Sequence, residues 1–202
     1  MTTITTLAAL EALYGTPSGA SLTKEIPHLT PEYRALIEAA PFFAIASIGP
    51  GGLDCSPRGD AAGFVHVLDE RTLAIPDRRG NNRLDTLRNI IGDPRIALLF
   101  MIPGVDETVR VNGRACITAA PGMRARFAVD GKEPATVILV EIATVYFQCS
   151  RALVRARLWS AESRVDRESL PTPGQILKGV ERTFDAETYD AAWPKRQNDS
   201  LY

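Results

Sequence analysis

Six or seven apolar stretches of about strand length, separated by turn residues, constrain what this chain can fold into. The first, FFAIASI, begins at Phe42 and is broken by Gly49-Pro50-Gly51-Gly52, and the longest, ATVILVEIATVYFQC, covers residues 135–149. Asn112-Gly113 would either close a tight hairpin or mark a bend within one long strand. Helical patterns stand mainly at the margins, whereas a parallel sheet needs them between strands. The sequence therefore predicts a mainly β protein with peripheral helices, built as an antiparallel barrel of six or seven strands.

Helix start and stop signals stand on both sides of this strand-rich region and once inside it. The predicted helices are one between Thr6 and Gly15 with Leu7, Leu10, Leu13 and Tyr14 as its apolar face, one starting at Thr30-Pro31, a short one at residues 121–129, and one from Ser150 with Leu153, Val154 and Leu158 turned inward. A loop of small residues is expected between the first two. We predict a single domain over residues 1–202, with N-terminal helices at 1–41, the barrel at 42–149 and a helical segment at 150–202.

One stretch, TLAIPDRRGNNRLDTLRNIIGDP at residues 72–94, runs from a strand through a polar loop into a helix. Pro76 can close the strand because it lacks the N–H group that a continuing ladder needs. Asn81 or Asn82 is the candidate N-cap of the helix. The apolar residues that recur at helical spacing are Leu84, Leu87 and Ile91.

Three arginines flank the start of this helix, namely Arg78, Arg79 and Arg83. A helix start offers unpaired N–H groups and a partial positive charge, and planar guanidinium groups match phosphate oxygens. The pattern indicates either a phosphate-binding loop or, as the alternative, a solvated charged turn before an ordinary surface helix.

Composition restricts the classes of function. The formal net charge of −1 over 202 residues argues against a general nucleic-acid or membrane-surface binder. The three cysteines form no C-x-x-C pair and no signal-like segment begins the chain, so we expect a cytoplasmic protein. With only His28 and His66, a metal cluster or catalytic triad is not favoured. A barrel with an arginine-rich loop then suggests chemistry supplied by a cofactor, for which FMN is the natural candidate.

Several motifs together resemble the pyridoxamine 5′-phosphate oxidase-like FMN-binding split-barrel proteins, and more narrowly a bacterial subgroup of about this length. The resemblance covers most of the chain from about Phe42 to Trp159. The motifs that carry it are Ser56-Pro57-Arg58-Gly59-Asp60, Phe64-Val65, Thr72-Leu73, Ile75-Pro76-Asp77-Arg78, Gly80-Asn81-Asn82-Arg83-Leu84-Asp85, Pro103-Gly104, the segment from Glu107 to Arg114, and the segment from Cys149 to Trp159.

The resemblance implies an FMN-binding split barrel and a homodimer with FMN at the interface. It assigns Ile75 and Pro76 to the flavin ring, and the following loop to the phosphate. The cofactor-binding residues that it implies are Arg58, Ile75, Pro76, Arg79, Asn81, Asn82, Arg83, Thr108 and Arg110. It also favours a bent strand at Asn112-Gly113. Thr108 stands where the family usually has a glutamine, and the Arg-x-His element with which oxidases grip pyridoxamine phosphate is missing from the final residues, WPKRQNDSLY.

The leading hypothesis from the sequence is an FMN-dependent oxidoreductase that is related to pyridoxamine 5′-phosphate oxidase and acts on an unidentified small molecule. The first alternative is a non-catalytic flavin-binding or storage protein. The second is a module that binds a phosphate ligand without flavin.

Overall fold

The computed structural model describes residues 3–199 and 201–202, which contain a mainly β fold with helices at its margins. The strands are β1 Phe42–Gly49, β2 Gly52–Gly59, β3 His66–Asp69, β4 Thr72–Pro76, β5 Arg95–Met101, β6 Thr108–Thr118 and β7 Val137–Gln148. The helices are α1 Leu7–Tyr14, α2 Gly19–Thr23, α3 Pro31–Ala39, α4 Asp85–Gly92, α5 Pro121–Ala125, α6 Arg151–Ala156, α7 Pro173–Val180 and α8 Ala186–Asp199. Two 3₁₀ turns, Ala161–Ser163 and Arg167–Ser169, lie between α6 and α7.

Within the described residues, the seven strands form one antiparallel sheet in the order β2-β1-β5-β6-β7-β4-β3. Short turns join β1 to β2 and β3 to β4, so each pair forms an antiparallel hairpin. The long connection between β4 and β5 contains α4, which packs against β1, β2 and β6. The prediction of a mainly β, antiparallel split barrel with peripheral helices is confirmed.

Strand β6 continues through Asn112 and Gly113, which confirms the bent strand and excludes the tight hairpin. Its register with β7 shifts there, because Asn112 pairs with Thr144 and Gly113 with Ile142, leaving Ala143 of β7 as the extra residue of a bulge. A Cβ atom at position 113 would lie 2.2 Å from the carbonyl oxygen of Glu141. Glycine is therefore required by the close approach of the two backbones.

The hydrophobic core lies on one face of the sheet and is covered in part by α3. Alternate residues of β6 point into it: Val109, Val111 and Ala115 are buried, and Ile117 is partly buried against the core. From α3, Tyr33 and Ile37 are buried, and the helix begins at Thr30-Pro31 as predicted, with the Thr30 hydroxyl accepting the N–H of Tyr33. Burial of such side chains is the main source of stability for a fold of this size.

The terminal helices depart from the sequence prediction. Thr6 caps α1 and Gly15 ends it as predicted, but no residue of α1 is buried, and the short helix α2 replaces part of the expected loop. Helix α6 ends at Ala156, because Arg157 adopts a left-handed conformation with φ 50°. Val154 and Leu158 are exposed, so their predicted inward position is wrong. Helix α5 ends before the predicted Val129, because Val129 pairs with Lys132 in a β-bridge.

No helix among the described residues is both long enough and apolar enough to cross a membrane.

Candidate functional site

The loop between β4 and α4 ends differently from the sequence prediction. Asn82 and Leu84 adopt left-handed conformations with φ 59° and 62°, and α4 begins only at Asp85. The Asn81 side chain accepts the backbone N–H of Arg83 at 3.1 Å, which closes a local turn. Neither Asn81 nor Asn82 is therefore the N-cap of α4, and that prediction is wrong.

The buried face of α4 is also different from the predicted apolar one. Thr86, Asn89 and Ile90 are buried, whereas Leu84 and Ile91 are exposed. Leu87, the third residue of the predicted apolar face, is partly buried against the core, so the prediction holds in part for this residue. Sequence periodicity missed the buried face because two of its three buried residues are polar.

Polar contacts fix α4 against β1 and β2. The Asn89 amide donates to the Ser47 hydroxyl at 3.0 Å in a buried contact, and the Thr86 hydroxyl donates to Ser56 at 3.3 Å. A Cβ atom at position 49 would lie 2.2 Å from Asn89 Oδ1, so a glycine in β1 lets the helix approach. The loop that precedes α4 therefore leads into a helix that is fixed to the sheet by these contacts.

A pocket of about 880 Å³ opens where β2, the β4–α4 loop and the segment before β7 meet. This volume lies within the range of roughly 300–1,000 Å³ that is common for small-molecule sites. The lining residues are Ser56, Pro57 and Arg58, residues 77–87, residues 132–136, and Tyr202. The structure thus brings together Arg58, Arg79, Asn81, Asn82 and Arg83 of the predicted site.

The pocket is rich in basic groups, most of which have a protein partner among the described residues. Arg83 donates to Asp85 at 2.8 Å, and Arg58 lies 3.9 Å from Asp77. The side chains of Arg79 and Asn82 make no hydrogen bond or ion pair among the described residues. These free donors suit an anionic ligand.

Two further groups of the pocket lack full pairing. Burial raises the pKa of Asp77, and the positive charge of Arg58 opposes that rise only in part. The Thr136 hydroxyl oxygen is buried without any hydrogen-bond partner in the described residues. A buried unpaired hydroxyl is costly, so a ligand that supplies its partner gains affinity there.

One end of the pocket is formed by a network around Arg78. Its guanidinium donates to Asp60 at 2.6 Å and to the carbonyl of Phe127 at 2.7 Å, and the Tyr202 hydroxyl donates to Asp60 at 2.7 Å. Burial pushes the pKa of Asp60 up, but hydrogen bonds from Tyr202, the N–H of Ala61 and Arg78 outweigh it, so this pKa is lowered. Arg78, one of the three arginines of the phosphate hypothesis, is thus already paired within the protein.

The remaining predicted residues do not line the pocket. Ile75 is fully buried in the core, and Pro76 is buried beside it at the end of β4. Thr108 is buried on β6, and Arg110 donates to the Tyr146 hydroxyl at 2.8 Å on the outer face of the sheet. The sequence reasoning did not single out Thr136, Lys132 or Tyr202 as site residues, since no local pattern marks them as neighbours of the arginine loop.

The sequence profile of the family described as pyridoxamine 5′-phosphate oxidase matches residues 29–149, which include all seven strands. The chain belongs to the pyridoxamine 5′-phosphate oxidase family. All the residues that line the pocket, except Tyr202, lie inside the part of the chain that matches the family. None of the curated proteins matches the chain.

Several solved structures are similar to this family member. HupZ of Group A Streptococcus has 16% identity and a TM-score of 0.49, with 59% of this chain and 93% of HupZ covered. General stress protein 26 of Bacillus anthracis has 12% identity and a TM-score of 0.44, with 56% and 88% covered. A protein related to general stress protein 26 from Clostridium acetobutylicum has 11% identity and a TM-score of 0.43, with 58% and 85% covered.

Proposed function

We propose that this chain binds FMN in the pocket and acts as an FMN-dependent oxidoreductase on a small molecule. The observation that carries the proposal is that three residues lining one pocket, in a member of this family, have polar groups without a partner among the described residues, namely the side chains of Arg79 and Asn82 and the buried hydroxyl of Thr136. Phosphate oxygens accept hydrogen bonds from guanidinium and amide donors. The groups present therefore fit a ligand with a phosphate and further polar atoms.

The proposal assigns the phosphate to the end of the pocket next to α4. There the chain offers Asn81, Asn82 and Arg83, with Arg79 and Arg58 nearby on the lining. Asp85 in the first turn of α4 already pairs with Arg83, which holds the guanidinium at this end of the pocket. Arg58, a residue of β2, lies 3.9 Å from Asp77, so it can also reduce the electrostatic cost of the half-buried Asp77 carboxylate.

Bound FMN would supply hydride or electron transfer, which this pocket's own side chains do not provide. The residues of the chain orient the ligand through the basic loop and screen it from water through Pro57, Pro134 and Ala135. Ile75 and Pro76 are proposed to support the ring from the end of β4, where their buried side chains fix the backbone.

The absorption spectrum of the purified protein tests FMN binding. We expect the visible bands of a flavin, or their appearance when the apoprotein is titrated with FMN. Absence of FMN binding would contradict the proposal and favour a phosphate-binding module. Reduction of the bound flavin by NADH or NADPH, followed by reoxidation with a candidate acceptor, separates an enzyme from a storage protein.

Thr136→Val tests whether the unpaired hydroxyl contacts the ligand. Valine has nearly the same shape, so removing a buried unpaired oxygen should leave the apoprotein as stable as the wild type or more stable. The same change should weaken FMN binding by roughly 2- to 13-fold, the value of one neutral hydrogen bond. Thermal unfolding of the apoprotein and fluorescence titration with FMN measure the two effects, and a stabilised variant with unchanged affinity would place the hydroxyl away from the ligand.

We also propose that the protein is a homodimer in which the outer face of β6 meets the partner. On this face Arg110 is half-buried against Tyr146, with its guanidinium 5.5 Å from the ring centroid, and Arg114 is exposed. In a dimer this face could bring Arg110 to the partner's pocket. We expect the flavin-loaded protein to sediment as a dimer at micromolar concentration, and a flavin-loaded monomer under those conditions would refute the arrangement.

A further inference from the structure

Tyr202 lines the pocket although it lies far along the chain from every other lining residue. The others belong to residues 56–136, and the partner of its hydroxyl, Asp60, is 142 positions away in sequence. The family profile ends at residue 149, so nothing in the family match accounts for Tyr202. Its position follows from the tertiary contacts alone.

A partly buried ion pair holds the phenol hydroxyl in place. Asp60 Oδ1 accepts from Tyr202 at 2.7 Å, while Asp60 Oδ2 accepts from Arg78 Nε at 2.6 Å. The Asp60 side chain is only 4% exposed, and Arg78 is tied to the carbonyl of Phe127 as well. Because Asp60 and Arg78 hold each other in place, the Tyr202 hydroxyl donates to a carboxylate whose orientation is fixed.

The aromatic ring of Tyr202 has a second contact. The guanidinium carbon of Arg78 lies 5.4 Å from the ring centroid, which is within the range of a cation–π interaction. The hydroxyl and the neighbouring cation are therefore both used inside the protein. What remains for a ligand is the apolar surface of a half-buried ring.

Tyr202 and the proposed phosphate residues lie toward opposite ends of the loop. Arg78, which contacts Tyr202, directly follows Asp77 at the end of β4, whereas Asn81, Asn82 and Arg83 approach the start of α4. FMN has a phosphate at one end and a flat ring system at the other. If the phosphate lies next to α4, the ring system extends toward the end that contains Tyr202.

We propose that Tyr202 is a ligand-contact residue, a fixed wall whose ring surface retains the flat ring of bound FMN. This inference rests on the proposed function. The pocket has its volume of about 880 Å³ with Tyr202 in place, so the ligand does not have to displace the ring in order to enter. A wall slows departure of the ligand without slowing its entry, whereas a gate slows both.

The test compares Tyr202→Ala and Tyr202→Phe with Tyr14→Ala, an exposed tyrosine of α1 outside the pocket. Rapid mixing with FMN gives the association rate constant, and recovery of flavin fluorescence after dilution gives the dissociation rate constant. We expect Tyr202→Ala to raise the dissociation rate constant by about 10-fold, the loss of one aromatic contact, with association changed by less than about 2-fold. Tyr202→Phe keeps the ring and should lie between wild type and Tyr202→Ala, and Tyr14→Ala should match the wild type.

Riboflavin provides a second arm because it has the ring system without the phosphate. Tyr202→Ala should accelerate release of riboflavin by the same factor as release of FMN. If wild type binds no FMN, both the proposed function and this inference fail. If wild type binds FMN and Tyr202→Ala releases it at the wild-type rate, only the role of Tyr202 is refuted. Equal acceleration of association and dissociation would show a gate and would overturn the fixed wall.

Discussion

Arg83→Ala is expected to weaken FMN binding by roughly 10- to 150-fold, the range for losing a hydrogen bond to a charged group. Arg83 is 75% exposed in the ligand-free chain and pairs with Asp85, so the lower end of this range is favoured. The fold should survive, because an exposed ion pair contributes little to stability. Titration of the apoprotein with FMN by fluorescence quenching measures the change in affinity, and thermal unfolding checks the fold.

Two controls isolate the phosphate contact. Arg88→Ala removes an exposed arginine of α4 that does not line the pocket, and the affinity of this variant for FMN should equal that of wild type. Riboflavin lacks the phosphate, so Arg83→Ala should hardly change its affinity. Equal losses for FMN and riboflavin would mean that Arg83 supports the ring or the loop, and the phosphate would then lie elsewhere.

The Arg83 and Tyr202 variants together divide the pocket into two ends. Arg83→Ala should affect FMN far more than riboflavin, whereas Tyr202→Ala should affect the two flavins equally. This contrast does not depend on the identity of the redox substrate. It therefore tests the orientation of the ligand even if the protein proves to be a storage protein rather than an enzyme.

The strands were predictable because their signals are local. Gly49-Pro50-Gly51-Gly52 joins β1 to β2, and Pro76 closes β4, as the turn chemistry of these residues requires. The arginine and asparagine loop was also recognisable, since its residues are contiguous. The division of the chain at residues 41 and 149 into helical margins and a barrel remains a prediction about domain organisation.

The parts that the sequence did not predict depend on tertiary contacts. The burial of Thr86 and Asn89 follows from partners on β1 and β2, Ser47 and Ser56, which no helical periodicity can show. The left-handed Leu84 is equally hidden, because a leucine seldom adopts that conformation.

The hydrogen bond between Tyr202 and Asp60 is another example, because the two residues are 142 positions apart in the sequence, where local sequence patterns carry no information. The apolar residues of α1 illustrate the opposite error. Their spacing is helical and the helix forms, yet none of its residues is buried. An amphipathic pattern does not show whether another part of the chain packs against the apolar face.

Gly113→Ala is the second change with a large expected effect, in this case on stability. The new Cβ atom would lie 2.2 Å from the Glu141 carbonyl oxygen and 3.1 Å from its carbon, both of which are backbone atoms of the neighbouring strand. Since β6 and β7 are paired on both sides of the bulge, neither backbone can move without disturbing the ladder. We expect a loss of about 3 kcal/mol in the free energy of unfolding, at the upper end of the usual cost of overpacking.

For a chain of this length such a loss lowers the Tm by about 6–12 °C. Gly92→Ala is the matched control, because a Cβ atom there meets nothing within 4 Å. That variant should be as stable as wild type or slightly more stable, since alanine restricts the unfolded chain. Calorimetry or circular dichroism of the apoproteins measures both. If Gly113→Ala unfolded within about 2 °C of wild type, less than 1 kcal/mol, the two strands would be able to separate at the bulge, and the close approach of β6 and β7 would not be the reason for glycine at this position.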